Sequence, residues 1–455
     1  MKLRKICTLL LAVMFCMAVA AGCSDTSSSD EATSNADATD SDAASGEGTT
    51  SWDGSAEGGR IYWLNFKPES DSALQSVAAM YKEQTGQEVK IVTAASGTYE
   101  QTLSSEMDKT DAPTIYNIGT AEDVLHWADY AADLAGSPLA EQLTTDEYNM
   151  KTDDGKVVSI GHCYETFGII VNPTLLEQAG YKVEDINNFD TLKTAAEDIH
   201  ARAGELGFDA FTSNDMDPSS SWRYTGHMAN IAYFYEQKDD PWTETPPTIT
   251  GAYLENFKNL YDLAINNSTV LPTELATGGH DAEAEFRDGK AVFFVQGSWE
   301  WPQVSEMVPE AVMIPYYCGV EGEENAGLNS GTGNCWAINS KVSEADQQAS
   351  MDFLVWCVTN KDAVAVLTES YGVMPFKEAP ESTNGFLADA QAYEKDGRYN
   401  MNWAFTFQPN VEQYRDALVS ALNQYDAQQN DSTWDTVKTA FVEGWAQQYA
   451  ASNAS

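Results

Sequence analysis

Short segments of β-strand and α-helix character alternate along most of this sequence, and this alternation constrains the fold more than any other feature. Residues 60–64 and 88–92 have the composition of strands, and residues 72–85 between them are apolar at helical spacing up to Gly86. A strand, a helix and a second strand in this order form a parallel βαβ unit with a right-handed crossover. The sequence therefore predicts an α/β fold that begins near residue 60.

The same alternation continues towards the end of the chain. It predicts strands at 115–118, 157–160, 168–172, 291–295, 311–314 and 336–339, and helices at 191–204, 253–266, 282–288, 346–359 and 434–449. These segments contain no internal repeat. Because 455 residues are many for a single hydrophobic core, two α/β lobes are expected.

The charge of the chain excludes one class of partner. Its 70 Asp and Glu residues outnumber 25 Lys and Arg residues, which gives a formal charge of −45. Nucleic acid is bound by clustered Lys and Arg that displace counterions from phosphates, so a surface this acidic repels it. We therefore expect no nucleic-acid partner. The hydrophobic content of 43% excludes a wholly disordered chain.

Residues 1–22 have the layout of an export signal. Basic residues near the N-terminus precede an apolar run over residues 6–21, which is short for a membrane-spanning helix, and small residues stand directly before Cys23. This layout resembles the signal of bacterial lipoproteins. The resemblance implies a lipidated Cys23 and an anchor on the outer face of the bacterial cytoplasmic membrane. Ordinary secretion, with Cys23 unmodified, is the alternative.

Residues 23–59 are predicted to form a disordered acidic tether. Beyond Cys23 this segment has no Lys or Arg, and Trp52 is its only large side chain. Such a composition buries too little apolar surface to offset the entropy of ordering it. The tether would hold a folded body close to the membrane.

Motifs of catalysis and metal binding are absent from the sequence. It has no G-x-S-x-G, no G-x-x-x-x-G-K-[ST] and no H-E-x-x-H. The scattered histidines are expected at the surface or in the core; they are His126, His162, His200, His227 and His280. Acidic residues are so frequent that a glycosidase pair of carboxylates cannot be picked out by spacing. We expect no enzymatic activity, no metal and no cofactor.

Four cysteines remain after residue 23, and two of them suggest a disulfide. Cys318 and Cys335 flank a loop rich in Gly, Glu and Asn, and they would pair if they lay on neighbouring strands. A reducing habitat would leave them as thiols, so both states remain open. Cys163 and Cys357 have no such arrangement, and the absence of C-x-x-C argues against structural zinc.

Aromatic residues beside small residues and carboxylates occupy several predicted loops, at residues 65–69, 217–222, 297–301 and 400–403. A sugar ring has C–H-bearing faces and polar edges, so its receptor needs flat aromatic surfaces together with planar acceptors and donors. Trp299, in a Gly-Ser turn, is predicted to stack on a sugar ring, with core packing as the alternative. The tryptophans inside strand or helix patterns are predicted to be core; they are Trp63, Trp127, Trp356 and Trp445.

These segments resemble the solute-binding proteins of ABC sugar importers, the family that includes the maltose-binding protein. Residues 286–299 look like the family's helix end, Gly-Lys turn, buried strand and G-x-W, in which the Trp commonly stacks on sugar. Residues 165–173 look like the first crossover between lobes, and residues 332–339 like the return crossover. Residues 371–375 look like the family's G-x-x-P turn.

The resemblance implies a two-lobed periplasmic-binding-protein fold of type II, with a hinge and a ligand cleft between the lobes. One lobe would comprise residues 60–164 and 333–378, and the other residues 165–332 and 379–455. Closure around a ligand would be a hinge motion, and a permease would recognise the closed form.

The sequence hypothesis is therefore a monomeric, lipid-anchored receptor that delivers a neutral mono- or oligosaccharide to the transmembrane subunits of an ABC permease. Trp299 would stack on a ring, Glu165, Glu69 and Asp217 would accept hydroxyl hydrogen bonds, and the cleft would be completed by Asn65, Trp222 and Trp403. The alternatives are a secreted glycoside hydrolase and a carbohydrate sensor or adhesin. Lys67 and Arg223 leave an anionic or phosphorylated ligand open.

Overall fold

The computed structural model describes residues 50–453, in which strands and helices alternate as predicted. The strands are β1 (Ile61–Asn65), β2 (Val89–Thr93), β3 (Ile115–Tyr116), β4 (Met150–Lys151), β5 (Val157–Gly161), β6 (Glu165–Val171), β7 (Asp209–Phe211), β8 (Ala291–Gly297), β9 (Val312–Ile314), β10 (Ala326–Gly331), β11 (Cys335–Ile338) and β12 (Tyr399–Met401). The helices are α1 (Asp71–Thr85), α2 (Tyr99–Met107), α3 (Ala121–Trp127), α4 (Pro173–Gln178), α5 (Phe189–Ala201), α6 (Ala203–Leu206), α7 (Asn230–Gln237), α8 (Leu254–Asn266), α9 (Pro272–Leu275), α10 (Ala282–Arg287), α11 (Trp301–Met307), α12 (Glu344–Thr359), α13 (Lys361–Tyr371), α14 (Gly385–Lys395), α15 (Val411–Ala427) and α16 (Asp431–Ser452).

The predicted βαβ unit is present at the start of the fold. Strands β1 and β2 pair in parallel over their full length, and α1 buries Leu74, Val77 and Tyr81 against the sheet. Gly86 ends α1 with φ = 79°, and its N–H donates to the Lys82 carbonyl at 2.8 Å. Glycine adopts this left-handed conformation without the steric cost of a Cβ.

The first sheet has the strand order β2-β1-β3-β11-β5-β4. Strands β1, β2 and β3 run parallel, whereas β11 pairs antiparallel with both β3 and β5. Helices α1, α12 and α13 cover one face, where Trp63, Trp336 and Phe353 form part of a closely packed core.

The second sheet has the order β12-β10-β6-β8-β7, and β9 also pairs with β6. Every residue of β6 and β8 is buried, as expected for central strands covered on both faces. Its core includes Phe167, Phe293 and Phe441 together with Trp445. Trp63 and Trp445 are thus core residues as predicted, while Trp127 and Trp356 are only half-buried.

Three segments within residues 50–453 pass between the two sheets. They join β5 to β6, β10 to β11, and α13 to α14. The first two are short, and the segments bond to one another: the His162 N–H donates to the Asn334 carbonyl at 2.9 Å, and the Tyr164 N–H to the Val373 carbonyl at 2.8 Å. Short crossing segments that lie side by side are the arrangement that a hinge requires.

The predicted tether needs a correction at its C-terminal end. Trp52 and Ala56 pack against the core of the first sheet, and the Asp133 N–H donates to the Thr50 hydroxyl at 3.3 Å. The tether prediction was therefore wrong for residues 50–59, because the indole of Trp52 supplies the apolar surface that the rest of the segment lacks.

The export signal, Cys23 and the rest of the tether lie outside the described residues. Within the described part, no helix combines the length and the apolar character needed to cross a membrane.

The disulfide between Cys318 and Cys335 is not formed. Cys318 lies in the core of the second sheet, whereas Cys335 begins β11 of the first sheet, with its sulfur 3.8 Å from the Tyr148 carbonyl. Cys163 and Cys357 are also free and buried. Burial raises the pKa of the Cys335 thiol to about 12 and raises those of the other three thiols as well, which keeps them in the unreactive thiol form.

Carboxylates gather where α2 and α3 lie close to the start of α15. Glu122 of α3 accepts the Asn410 N–H, at the start of α15, at 2.7 Å. Glu100 of α2 lies close by, and the Trp127 indole N–H donates to it at 3.3 Å. Burial raises the pKa of Glu100 to about 8, and the negative charge of Asp123 contributes next; Glu412 and Glu122 add further repulsion.

This raised pKa predicts a pH-dependent stability. The folded pKa of Glu100 exceeds its unfolded value, so its protonated form is favoured by folding and stability falls as pH rises from about 4.5 to about 8. We expect Glu100→Gln to match the wild type near pH 4 and to exceed its free energy of unfolding by about 1 kcal/mol or more at pH 8. Urea unfolding across this range measures the difference, with the exposed Glu141→Gln as control. Parallel stability curves for wild type and Glu100→Gln would contradict the prediction.

Candidate functional site

The loop after β1 presents a lysine to the space between the two sheets. The Asn65 side chain shapes this loop: its amide donates to the Lys67 carbonyl at 2.8 Å and to the Thr93 hydroxyl at 3.0 Å, and its oxygen accepts the Lys67 N–H at 3.1 Å. Asn65 is thus engaged within its own loop, where it positions Lys67.

Lys67 forms a buried ion pair with Glu165, the first residue of β6. The Lys67 ammonium lies 2.6 Å from Glu165 Oε1 and 3.0 Å from Glu69 Oε1, and the Asn334 amide donates to Glu165 Oε2 at 2.5 Å. Lys67 is 5% exposed and Glu165 3%. Burial disfavours the charge of Lys67, but Glu165 and Glu69 outweigh it and raise the pKa of the ammonium.

The second sheet contributes an aromatic cluster to the same region. It consists of Phe167, Trp222, His227, Trp299, Trp403 and Phe405. The half-buried Trp299 lies 5.9 Å from Trp222 and 5.3 Å from His227, measured between ring centroids. His227 stacks on Phe167 at 4.1 Å with the rings nearly parallel.

A π-helix at Arg223–Met228 builds one side of the cluster. Its wide turn is shown by the Ala229 N–H, which donates to the Tyr224 carbonyl five residues back at 3.0 Å. Residues five apart therefore meet, and the rings of Trp222 and His227 are 4.9 Å apart. Single-turn π-helices of this kind occur frequently at functional sites.

Lys67 connects the charged loop to the aromatic cluster. Its ammonium is 5.6 Å from the ring centroid of Trp299 and 6.0 Å from that of Phe66. These distances lie within the range of cation–π attraction. The two groups therefore form one site, to which the first-sheet loop brings charge and the second sheet brings aromatic faces.

A second cation is paired at the edge of this site. Arg223, which is 3% exposed, pairs with Glu283 and lies 4.5 Å from the ring centroid of Trp222. Nearby, burial and then the negative charge of Glu283 raise the pKa of Glu300 to about 7. Glu300 therefore exchanges a proton near neutral pH.

The residues proposed from the sequence fall into three groups. Trp299, Trp222, Glu69 and Glu165 converge on Lys67 or on the aromatic cluster. Trp403 is a buried member of the cluster, 8% exposed, and its indole N–H donates to the Asn329 carbonyl at 3.1 Å.

Asp217 and Asn65 make local contacts instead. Asp217 accepts the Ser219 N–H at 2.7 Å and the Ser219 hydroxyl at 2.5 Å, while the Trp222 indole donates to the Ser219 carbonyl at 2.8 Å. Asp217 thus closes a turn, the role that Asp commonly has in such sequences.

Sequence reasoning missed His227, Asn334 and Arg415. The ring nitrogens of His227 make no hydrogen bond within the described part of the chain. Burial, followed by the charge of Arg415, lowers its pKa well below the usual value, so it is a neutral imidazole with one donor and one acceptor. Trp222 and His227 are five residues apart, a spacing that brings two side chains together in a π-helix but not in an α-helix. The α-helical pattern searched for in the sequence could therefore not pair them.

No group of three or more His, Cys, Asp or Glu residues between 50 and 453 could hold a metal ion.

Solved structures show the same fold. RafE in complex with raffinose matches with a TM-score of 0.65 at 17% identity, covering 87% of this chain and all of that one. A chitin oligosaccharide binding protein matches with a TM-score of 0.65 at 14% identity, covering 86% and 99%. Maltose-bound MalE3 of T. maritima matches with a TM-score of 0.63 at 16% identity, covering 86% and 99%. These are two-lobed binding proteins, and the predicted fold class is confirmed.

No curated protein sequence matches this chain significantly. A family profile described as bacterial extracellular solute-binding protein matches residues 76–395. This match spans more than half of the sequence and includes the β6 and β8 segments that carried the resemblance. The chain therefore belongs to the bacterial extracellular solute-binding proteins.

Proposed function

We propose that this protein is the receptor of an ABC importer, which captures a mono- or oligosaccharide in a cleft between two lobes and delivers it unaltered to the permease. The observation that supports this most directly is the half-buried Trp299, which faces Lys67 at 5.6 Å with Trp222 and His227 beside it. An aromatic face next to hydrogen-bonding groups is what a sugar ring requires.

The lobes of this proposal are residues 60–164 with 333–378, and residues 165–332 with 379–455. Each contains one of the two sheets, and the site draws Lys67 from one and Trp299 from the other. A ligand between them stabilises closure only through contacts that the open form lacks. The hydroxyls of a bound sugar would bond to Glu69, Glu165 and His227.

The ligands of structurally similar proteins support a saccharide. RafE is bound to raffinose, MalE3 to maltose, and a third neighbour is a chitin oligosaccharide binding protein. A phosphorylated solute is less well supported, because Lys67 and Arg223, which left it open, are both paired with carboxylates.

The geometry also favours binding over hydrolysis. A glycosidase needs two carboxyl groups on opposite sides of the scissile bond, separated by about 5–9.5 Å. Here Glu69 and Glu165 both bind the ammonium of Lys67, at 3.0 and 2.6 Å, so neither is a free carboxyl group that could donate a proton to a leaving group. A sensor or adhesin would use the same cleft, and only sugar uptake through a permease separates that role from transport.

The proposal places the protein on the outer face of the cytoplasmic membrane, as a monomer. Residues 1–22 would direct export, and lipid on Cys23 would provide the anchor. Two acyl chains, at about 0.8 kcal/mol per buried CH₂, make such attachment stable. Mass spectrometry of the protein from membranes would detect the modified cysteine. An unmodified Cys23 would contradict the lipid anchor and favour ordinary secretion.

A thermal-shift screen of mono- and oligosaccharides tests the receptor function. We expect at least one sugar at 100 times its dissociation constant to raise the free energy of unfolding by about 2.7 kcal/mol. The protein used should include residues 50–59, since Trp52 packs on the fold. Chromatography of each sugar after incubation provides the second readout. Released products would favour the hydrolase, and the absence of any stabilising sugar would contradict the proposal.

A further inference from the structure

Arg415, in the second turn of α15, is a half-buried cation. No carboxylate between residues 50 and 453 lies within ion-pair distance of its guanidinium, in contrast to Lys67 and Arg223. Burial lowers the pKa of Arg415 to about 10, although the hydroxyls of Tyr233 and Tyr414 oppose this shift. A cation withdrawn from water without a counter-charge is costly, so a ligand that supplies the charge gains binding energy.

The guanidinium is held in a fixed orientation. Its Nε–H donates to the Gln408 side-chain oxygen at 2.7 Å, and the Gln408 amide is held in turn by the Thr225 carbonyl at 2.8 Å and the Tyr233 hydroxyl at 3.2 Å. Gln408 is fully buried. The two terminal NH₂ groups of Arg415 donate to no residue in the part of the chain that the structure describes. Both groups are therefore available to donate parallel hydrogen bonds to a planar acceptor such as a carboxylate.

Gly226 of the π-helix leaves space for the Arg415 guanidinium. A Cβ on Gly226 would lie only 3.0–3.3 Å from the terminal nitrogens and central carbon of the Arg415 guanidinium, so the absence of a side chain at this position permits the contact. Gly226 directly precedes His227 of the aromatic cluster. The guanidinium carbon is also 5.7 Å from the ring centroid of Phe405, another member of the cluster. Arg415 therefore borders the proposed sugar site.

We propose that the saccharide carries a carboxylate, as a uronic acid does, and that the terminal NH₂ groups of Arg415 bind it. This inference rests on the proposed function, and it replaces the neutral sugar expected from the sequence with an acidic one. A carboxylate carries one charge and matches the guanidinium fork in two parallel hydrogen bonds. A phosphate carries nearly two charges and would call for a second free cation, but Lys67 and Arg223 are already paired.

Matched pairs of sugars test the proposal. We would measure binding of galacturonate against galactose, glucuronate against glucose, and oligogalacturonides against their methyl esters, by calorimetry and thermal shift. The variants are Arg415→Gln, Arg415→Lys and the control Arg398→Gln. Arg398 is also half-buried, lies over Tyr393 and donates to the Tyr317 hydroxyl at 3.4 Å, outside the aromatic cluster.

We expect the acidic member of one pair to bind the wild type at least about tenfold more tightly than its neutral partner. Arg415→Gln should remove this preference, Arg415→Lys should retain part of it, and Arg398→Gln should retain it fully. If Arg415→Gln does not fold, Arg415→Lys decides the question: a preference for acidic sugars as strong as that of the wild type would contradict binding by the planar guanidinium.

Two other outcomes overturn the proposal in distinguishable ways. If neutral sugars bind as tightly as acidic ones and Arg415→Gln leaves their affinities unchanged, Arg415 does not select a carboxylate, while the receptor function stands. If no sugar of either kind binds, the receptor function fails and this inference fails with it.

Discussion

Glu165→Ala should lower the free energy of unfolding by about 3 kcal/mol, because Glu69 is then the one carboxylate among residues 50–453 that still pairs with the buried Lys67 ammonium. The Asn334 amide would lose its acceptor as well. Most of this loss of stability arises because a buried charge and a buried hydrogen-bond donor are left without a partner. Urea unfolding of the ligand-free protein measures it.

A variant that removes both charges separates that cost from the net contribution of the pair. Lys67→Met combined with Glu165→Leu removes both charges and should recover most of the lost stability, since buried ion pairs are often replaceable by apolar residues. The matched surface pair is Lys82 with Glu88, whose side chains are 57% and 77% exposed. Glu88→Ala should change the free energy of unfolding much less than Glu165→Ala does, because exposed ion pairs contribute little to stability. A loss as small for Glu165→Ala would show that the Lys67 pair is not buried in solution.

Glu165 variants also bear on sugar binding. Glu165→Gln should weaken the cognate sugar less than Glu165→Ala, because an amide oxygen still accepts a hydrogen bond. Equal losses from the two substitutions would mean that Glu165 acts by positioning Lys67 and not as an acceptor for the sugar.

Trp299→Ala should weaken the cognate sugar by at least tenfold, and by about thirtyfold if the indole is a central contact worth about 2 kcal/mol. The melting temperature of the ligand-free protein should change little, because Trp299 is only half-buried at the edge of the second-sheet core. Calorimetry with the sugar identified by screening measures the affinity.

Trp356→Ala is the matched control for this experiment. Trp356 is also half-buried, packs on the core of the first sheet and donates to the Gln84 side chain at 3.1 Å. Its loss should affect stability but leave sugar affinity unchanged. Unchanged affinity in Trp299→Ala would reject its role in stacking.

Much of the fold could be predicted from local patterns. The parallel β1–α1–β2 unit follows from the spacing of apolar residues in α1 and from Gly86 at its end, which are properties of adjacent residues. The buried runs of β6 and β8 were recognisable for the same reason. Trp299 was identified because a large aromatic residue in a Gly-Ser turn has no place in a strand or helix pattern.

The predictions that failed depended on contacts between distant residues. Cys318 and Cys335 are close in sequence, yet the chain crosses from the second sheet to the first between them. Trp52 looked like an isolated residue in a polar segment, and only the core of the first sheet gives it a partner. Sequence spacing carries no information about either contact.

The sequence by itself determined the order of strands and helices, the family and the aromatic character of the site, because these depend on residue type and local spacing. Only the tertiary structure decided which charges meet. Lys67 and Glu165 are 98 residues apart and pair because β1 ends and β6 begins at the same crossing. Arg415 has no counter-charge among residues 50–453 although acidic residues dominate the chain, because burial depends on how α15 packs against the π-helix and not on composition.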